Sequence, residues 1–302
     1  MTRSVRSGRV TVLGPGDGGA QRVLEATGGH AADAVVELGS VTKTITATAA
    51  AVLTAQGLLD PSAPLEEHLP VPPDTGVTVD LLVRHRSGLP RLGPGVRPWS
   101  RDPYRGFDQA RLARVLAELP RVLARPPDSH EEYSNLGYAV LGEVVGRVGG
   151  GGWYACVRRL VLDPAGLTDI VLPPDPAQAV VGAGRSGRAR TAWTTGAMAP
   201  AGGLWGTALA AGTWVAQSVV HERYGPPCAA WQRMGPAVWS NGATRDASLL
   251  VAALPGSGQH VAVHAIGQEP AQTDEHGLRL LARSREHPAP VTGPAAPGQE
   301  GG

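Results

Sequence analysis

The chain has 302 residues, of which 42% are hydrophobic and 18% charged, with a formal net charge of +1. That length allows one large domain or two small ones around a sizeable core. Near-neutral charge, scattered arginines and few aromatics exclude the electrostatic footprint of a nucleic-acid-binding protein. Cys156 and Cys228 lie far apart without a partner motif, so buried free thiols are expected rather than a disulfide or a metal site.

Residues 1–6 are not followed by an apolar segment, so no signal peptide is expected and the chain reads as cytoplasmic. Residues 9–13 read as a strand, 14–19 as a Gly/Pro turn region, and 23–26 as a second strand. Residues 34–38 read as a third, which delivers the chain to Gly39 and Ser40.

Next comes a stretch without a charged residue, from Thr44 to Leu59. A helix with no charged face is a buried helix. Gly57 offers a left-handed stop, and Asp60-Pro61 prevents continuation. The segment carries four threonines and falls short of the ~20 apolar residues of a membrane span, so it belongs in a protein core.

Ser40 opens this helix and Lys43 lies one turn in. Positions i and i+3 share a helix face, so the amine can reach the hydroxyl. The positive end of the helix dipole favours an alkoxide or an oxyanion there. A serine needs a base before it attacks, and a lysine serves only when burial depresses its pKa. Ser-x-x-Lys alone is weak evidence, but the basic residues are 26 arginines and one lysine, and that lysine is Lys43. Guanidinium stays protonated in proteins, whereas an amine can give up its proton. The only titratable amine side chain therefore stands three residues after a serine.

Further on, residues 81–90 read as a short helix ended by Ser-Gly, with His85 a packing and hydrogen-bonding residue. Residues 108–123 have helical period, with Leu112, Val115, Leu116 and Leu119 on one face. Apolar helices follow over 136–148 and 153–162, then a Pro/Gly/Arg-rich loop over 173–200 and a helix over 208–221. Residues 238–241, 247–254 and 260–266 read as strands, the last two joined by a hairpin turn. A closing helix is expected over 272–285 and a disordered Pro/Gly/Ala tail beyond it.

The chain has two asparagines, Asn135 and Asn241, each at the edge of a predicted element. In Tyr133-Ser134-Asn135, the phenol and the amide can face one side of a loop-to-helix junction. A tyrosine beside an ammonium can have its pKa lowered and relay protons. The alternative is a plain N-cap by Ser134 or Asn135.

Taken together, these segments resemble the serine β-lactamase-like superfamily, in its branch of class C β-lactamases, D-alanyl-D-alanine carboxypeptidases and esterases. Ser40-Val41-Thr42-Lys43 matches the nucleophile motif and Tyr133-Ser134-Asn135 the Tyr-x-Asn motif. Residues 81–90 resemble the family's Leu-Leu-x-His-x-Ser-Gly-Leu-Pro segment, and Ala201-Gly202-Gly203-Leu204 its Ala-Gly-Gly-Leu; the similarity spans about residues 34–267. The resemblance implies an α/β fold of the α+β type, an antiparallel sheet flanked by helices with a large helical insert. It would place residues 1–60 and 201–286 in the sheet layer and 61–200 in the insert. With 39 residues before Ser40, the sheet layer is expected to be N-terminally trimmed.

The resemblance also implies roles. Ser40 would be acylated, Lys43 and Tyr133 would share proton transfer, and Asn135 would bond Lys43 or the substrate. Ser240-Asn241-Gly242-Ala243 aligns with the family's third motif, so Ser240, Gly242 and Ala243 join the substrate-binding set, with the Ser40 and Ala243 N–H groups as oxyanion hole. Ser240 replaces a family lysine or histidine that helps bind a substrate carboxylate, with Arg245 as a possible substitute. This departure weakens β-lactamase and carboxypeptidase readings and leaves an esterase-like serine hydrolase of small esters or amides. Alternatives are acyl transfer to a small acceptor, or a non-catalytic binding or regulatory protein on a degenerate hydrolase fold. The expected partner is a small-molecule substrate, with no metal, cofactor, nucleic acid or membrane.

Overall fold

The computed structural model describes residues 3–16, 20–175, 177–184 and 186–286. The expected tail, 287–302, lies outside the described residues. In chain order come strands β1 (Arg3–Val5), β2 (Gly8–Gly14), β3 (Arg22–Ala26) and β4 (Val36–Glu37), then helix α1 (Thr42–Ala55). Helices α2 (Val79–Val83), α3 (Gln109–Ala117), α4 (Leu119–Val122), α5 (Asn135–Gly149) and α6 (Trp153–Val157) follow. After β5 (Val180–Gly182), α7 (Ala199–Gly202), β6 (Trp205–Gly206) and α8 (Ala208–Val215), the chain ends in β7 (Gln232–Met234), β8 (Ala237–Ala243), β9 (Ala247–Ala253), β10 (His260–Ile266) and α9 (Pro270–Glu286).

Six strands form one antiparallel sheet in the order β3-β2-β10-β9-β8-β7. β9 and β10 carry no formal charge and are buried throughout, because helices cover both faces: α9 packs on β9 and β10, and α8 packs on β10 and β2. Behind α8 stands the helical layer, in which α1 packs on α5 and α7. This is the expected mixed architecture of antiparallel sheet and helices.

α1 shows how a threonine-rich helix can be buried. Thr44 Oγ1 donates to Val41 O, Thr48 Oγ1 to Thr44 O, and Thr46 Oγ1 to Pro200 O of α7. Thr44 and Thr46 also accept the indole N–H groups of Trp214 and Trp153. Buried hydroxyls with partners stitch the helix to its neighbours instead of destabilising it. Gly57 takes φ 70° after the last turn, as the αL stop requires.

Several elements differ from the sequence expectation. The 108–123 helix divides at Glu118, because Pro120 starts the new segment α4. The third strand shrinks to Val36–Glu37, and the 208–221 helix finishes in a wide π turn over Ala216–Val220. β1, β5 and β7 were not expected. Each has three residues, too few for a periodic signal, and β1 pairs with β5 from the opposite part of the chain.

Candidate active site

β4 pairs with β6 and hands the chain to a 3-10 turn, Gly39–Val41, that leads directly into α1. Ser40 is therefore held in the first turn of a helix, where backbone N–H groups lack intrahelical partners. β8 passes close to this turn. A Cβ on Gly242 would meet Leu38 O at 2.3 Å and Ser40 N at 2.7 Å, so only glycine admits the approach. Gly39, at φ +52°, makes the matching contact, its would-be Cβ lying 3.0 Å from Ala243 N.

The Ala243 N–H faces the same way. Thr244 N donates to Ala247 O across the β8–β9 turn at 2.8 Å. Donors alternate along an antiparallel strand, so the neighbouring Ala243 N–H points away from β9. β7 covers β8 only at residues 237–239, and the rest of that edge borders the Ser40 turn.

Two further side chains meet at Ser40 Oγ. Lys43 Nζ lies 3.1 Å away and the Tyr133 hydroxyl donates to it at 2.5 Å. Lys43 Nζ also donates to Ala201 O at 2.5 Å and lies 4.7 Å from the centre of the Tyr133 ring. Tyr133 arrives by a separate route. Ser134 caps α5 by accepting from Gly137 N, and its own Oγ donates to Pro90 O. His85, in a left-handed conformation, accepts the Ser134 N–H through Nδ1 and packs on the Tyr133 ring. Ser40 and Tyr133 open into a cleft of about 400 Å³, lined among others by Arg91, Tyr104, Asn135, Trp193, Asn241 and Thr244, with Lys43 buried behind them.

The beta-lactamase family model matches residues 6–272. The chain belongs to the beta-lactamase family. It is 27% identical over 160 residues to the Escherichia coli K12 D-alanyl-D-alanine-carboxypeptidase/endopeptidase AmpH. That alignment covers 48% of this chain and 39% of the relative, so the match spans well under half of the curated protein. Among solved structures, a beta-lactamase/D-alanine carboxypeptidase from Yersinia pestis superposes with a TM-score of 0.71 at 19% identity, covering 91% of this chain and 92% of that one. A beta-lactamase/D-alanine carboxypeptidase from Pseudomonas syringae gives a TM-score of 0.73 at 17% identity, with 95% of each chain covered. The family is one of serine hydrolases, and the fold is the β-lactamase/transpeptidase type.

Burial sets the charge state of this beta-lactamase-family site. Lys43 is buried, and desolvation, reinforced by the nearby Arg91 cation, pulls its pKa well below the ordinary lysine value. Tyr133 moves the other way: burial raises its pKa, only partly offset by its hydrogen bond to Ser40. This corrects the expected lowering of the Tyr133 pKa. Both shifts favour the uncharged forms, a phenol that donates to Ser40 Oγ beside an amine.

The remaining expected residues separate into two groups. Asn135 lines the cleft, but its Nδ2 donates to the Tyr104 hydroxyl at 3.3 Å rather than contacting Lys43. Gly242 and Ala243 border the Ser40 turn as described. Ser240 requires a correction. Asn241 faces α9, donating through Nδ2 to Asp274 Oδ2 at 2.6 Å. Ser240, one residue earlier, points to the opposite, buried side of the sheet and is 5% exposed. It is not among the residues lining the cleft. Arg245 does not take its place either, because its guanidinium bonds Ser100 O and Arg101 O. The cleft's cation is Arg91, which sequence reasoning passed over; its only signal is its position directly after the Ser-Gly-Leu-Pro segment. Both cysteines are free, as expected.

Proposed function

We propose that this protein is a serine hydrolase that cleaves a small ester or amide through an acyl-enzyme on Ser40. The carrying observation is the convergence on Ser40 Oγ of a buried lysine amine and a tyrosine hydroxyl from two different elements. Membership of a serine hydrolase family supports the reading.

With Lys43 neutral, its lone pair accepts the Ser40 proton while one of its N–H groups stays on Ala201 O. Ser40 Oγ then attacks the carbonyl carbon. The carbonyl oxygen gathers negative charge between the N–H groups of Ser40 and Ala243, at the positive end of α1. Collapse of the tetrahedral adduct breaks the bond to the leaving group, which takes the Tyr133 proton. Tyr133 is reprotonated from the Lys43 ammonium across the Ser40 Oγ position. Water repeats the sequence in reverse and frees the acid. Asn135 and Asn241 line the approach and would orient substrate.

Intact-mass measurement after treatment with a fluorophosphonate tests this reading. One adduct, mapping to the peptide that contains Ser40, is expected. Folded protein that takes no adduct, or takes it elsewhere, would contradict it.

No helix among the described residues is long and apolar enough to cross a membrane. Cytoplasmic residence and a small-molecule partner remain part of the proposal.

A further inference from the structure

The charge distribution in the cleft points to a substrate class, on the reading that Ser40 is a nucleophile. Among the described residues that line the cleft there is one charged side chain, Arg91, and no carboxylate. Its guanidinium carbon lies 5.0 Å from the centre of the Tyr133 ring, within reach of a molecule held at Ser40. No Asp or Glu among the described residues forms an ion pair with it.

The backbone at this position is fixed, although the side chain is exposed. Arg91 O accepts the Asn135 N–H at 2.9 Å, and the preceding Pro90 O accepts the Ser134 hydroxyl at 2.7 Å. The two bonds tie the base of the arginine to the same junction that carries Tyr133. A purely structural arginine would be paired with a carboxylate or buried along its stem. Arg91 instead stacks on one aromatic face, that of Tyr133. Its side chain also lines the cleft beside that ring.

We propose that Arg91 is the specificity-determining residue of this site and that the substrate ester or amide carries a carboxylate which Arg91 binds. A single planar guanidinium matches one carboxylate in a two-bond fork. A phosphate dianion would call for more than one cation, and the cleft offers only this one among its described lining residues. With Ser240 turned into the sheet, the anion is received on the Tyr133 wall instead of the β8 wall.

Three esters and two variants test the proposal. The esters are methyl 4-acetoxybenzoate, which is neutral; 4-acetoxybenzoate, with its carboxylate on the leaving group; and phenyl hydrogen succinate, with its carboxylate on the acyl part. kcat/KM is measured for the wild type, Arg91→Gln and Arg91→Lys at several pH values. Arg91 also repels a proton from Lys43, so losing it lowers activity on every ester at a given pH. Anion binding shows instead in the ratio between esters, which that common effect cannot move. We expect Arg91→Gln to lose at least about tenfold more on one carboxylate ester than on the neutral ester, chiefly through KM, the scale of one charge-assisted pair. Arg91→Lys should recover part of the difference.

Which carboxylate ester responds tells which side of the scissile bond holds the anion. Equal losses on all three esters would overturn the proposal and leave Arg91 as a group that only tunes Lys43. If none of the esters turns over while Ser40 still reacts with the fluorophosphonate, benzoate protection replaces turnover. Benzoate should slow labelling of the wild type and not of Arg91→Gln, and equal rates would again overturn it. Absence of any Ser40 adduct would instead bring down the hydrolase reading itself.

Discussion

The Tyr133 hydroxyl donates to Ser40 Oγ at 2.5 Å across 93 positions of sequence. The pairing depends on the register of α5 against α1, and it leaves Tyr133 with a proton that a leaving group needs.

Tyr133→Phe keeps the ring that packs on His85 and under Lys43. The variant should melt close to the wild type while losing roughly 10²–10⁴ in rate on a substrate with a poor leaving group. A 4-nitrophenyl ester, whose leaving group departs without a proton, should lose much less. Parallel losses on an alkyl ester and a 4-nitrophenyl ester would assign Tyr133 to Ser40 activation instead.

Gly242→Ala places a methyl group 2.3 Å from Leu38 O and 2.7 Å from Ser40 N. The strand must move away from the turn, parting the Ser40 and Ala243 donors. Loss of one such donor costs about 10²–10³ in kcat, with about 1–3 kcal/mol of overpacking in stability. Chemical denaturation and turnover on one sample measure both. A variant of full activity would show that these two N–H groups do not hold the oxyanion.

The buried pair His30–His264 contributes to acid sensitivity, beside His85, which desolvation pulls down to about 3. Their rings share a hydrogen bond of 2.8 Å between His30 Nε2 and His264 Nδ1, and both are almost fully buried. Desolvation drops His30 from 6.5 to about 4, and it pulls His264 well below the usual value. The unfolded chain thus binds protons that the folded one refuses as pH falls below 6.5, so stability falls with pH. For His30 alone the loss amounts to about 3 kcal/mol by pH 4. Denaturant midpoints measured between pH 7 and 4 should fall steadily, and His264→Leu should flatten the slope. An unchanged slope in that variant would assign the acid loss to other groups, such as His85.

How much was legible follows from how local each signal is. Ser40 and Lys43 could be paired because they are one helical turn apart and Lys43 is the only lysine. Tyr133 and Asn135 stood out through the scarcity of asparagine and the cap at Ser134. Strands β8, β9 and β10 were found because apolar runs between turns mark a sheet covered on both faces. The phase of β8 was not readable. Ser240 and Asn241 are adjacent polar residues that break any clean alternation, so the strand does not reveal which of them points to the cleft, and the motif alignment puts Ser240 on the wrong side. Arg91 is one of 26 arginines, marked in the sequence only by following the Ser-Gly-Leu-Pro segment, and the folded cleft is what singles it out. The upward direction of the Tyr133 pKa is not legible for a related reason: desolvation is a property of tertiary packing and leaves no mark in a short motif.

The central claim is that Lys43 takes the Ser40 proton, and Lys43→Arg tests it most directly. Arginine keeps the positive charge and most of the stem, yet it cannot act as a base. General bases contribute about 10²–10⁴ in rate, or about 3–5 kcal/mol of barrier. Single-turnover acylation by a 4-nitrophenyl ester and thermal melting are to be measured on the same Lys43→Arg sample across pH. The account predicts a folded variant that acylates at least about a hundredfold more slowly and loses the acid limb by which the wild-type rate rises as Lys43 deprotonates. A folded variant that acylates near the wild-type rate, with that limb intact, would contradict it.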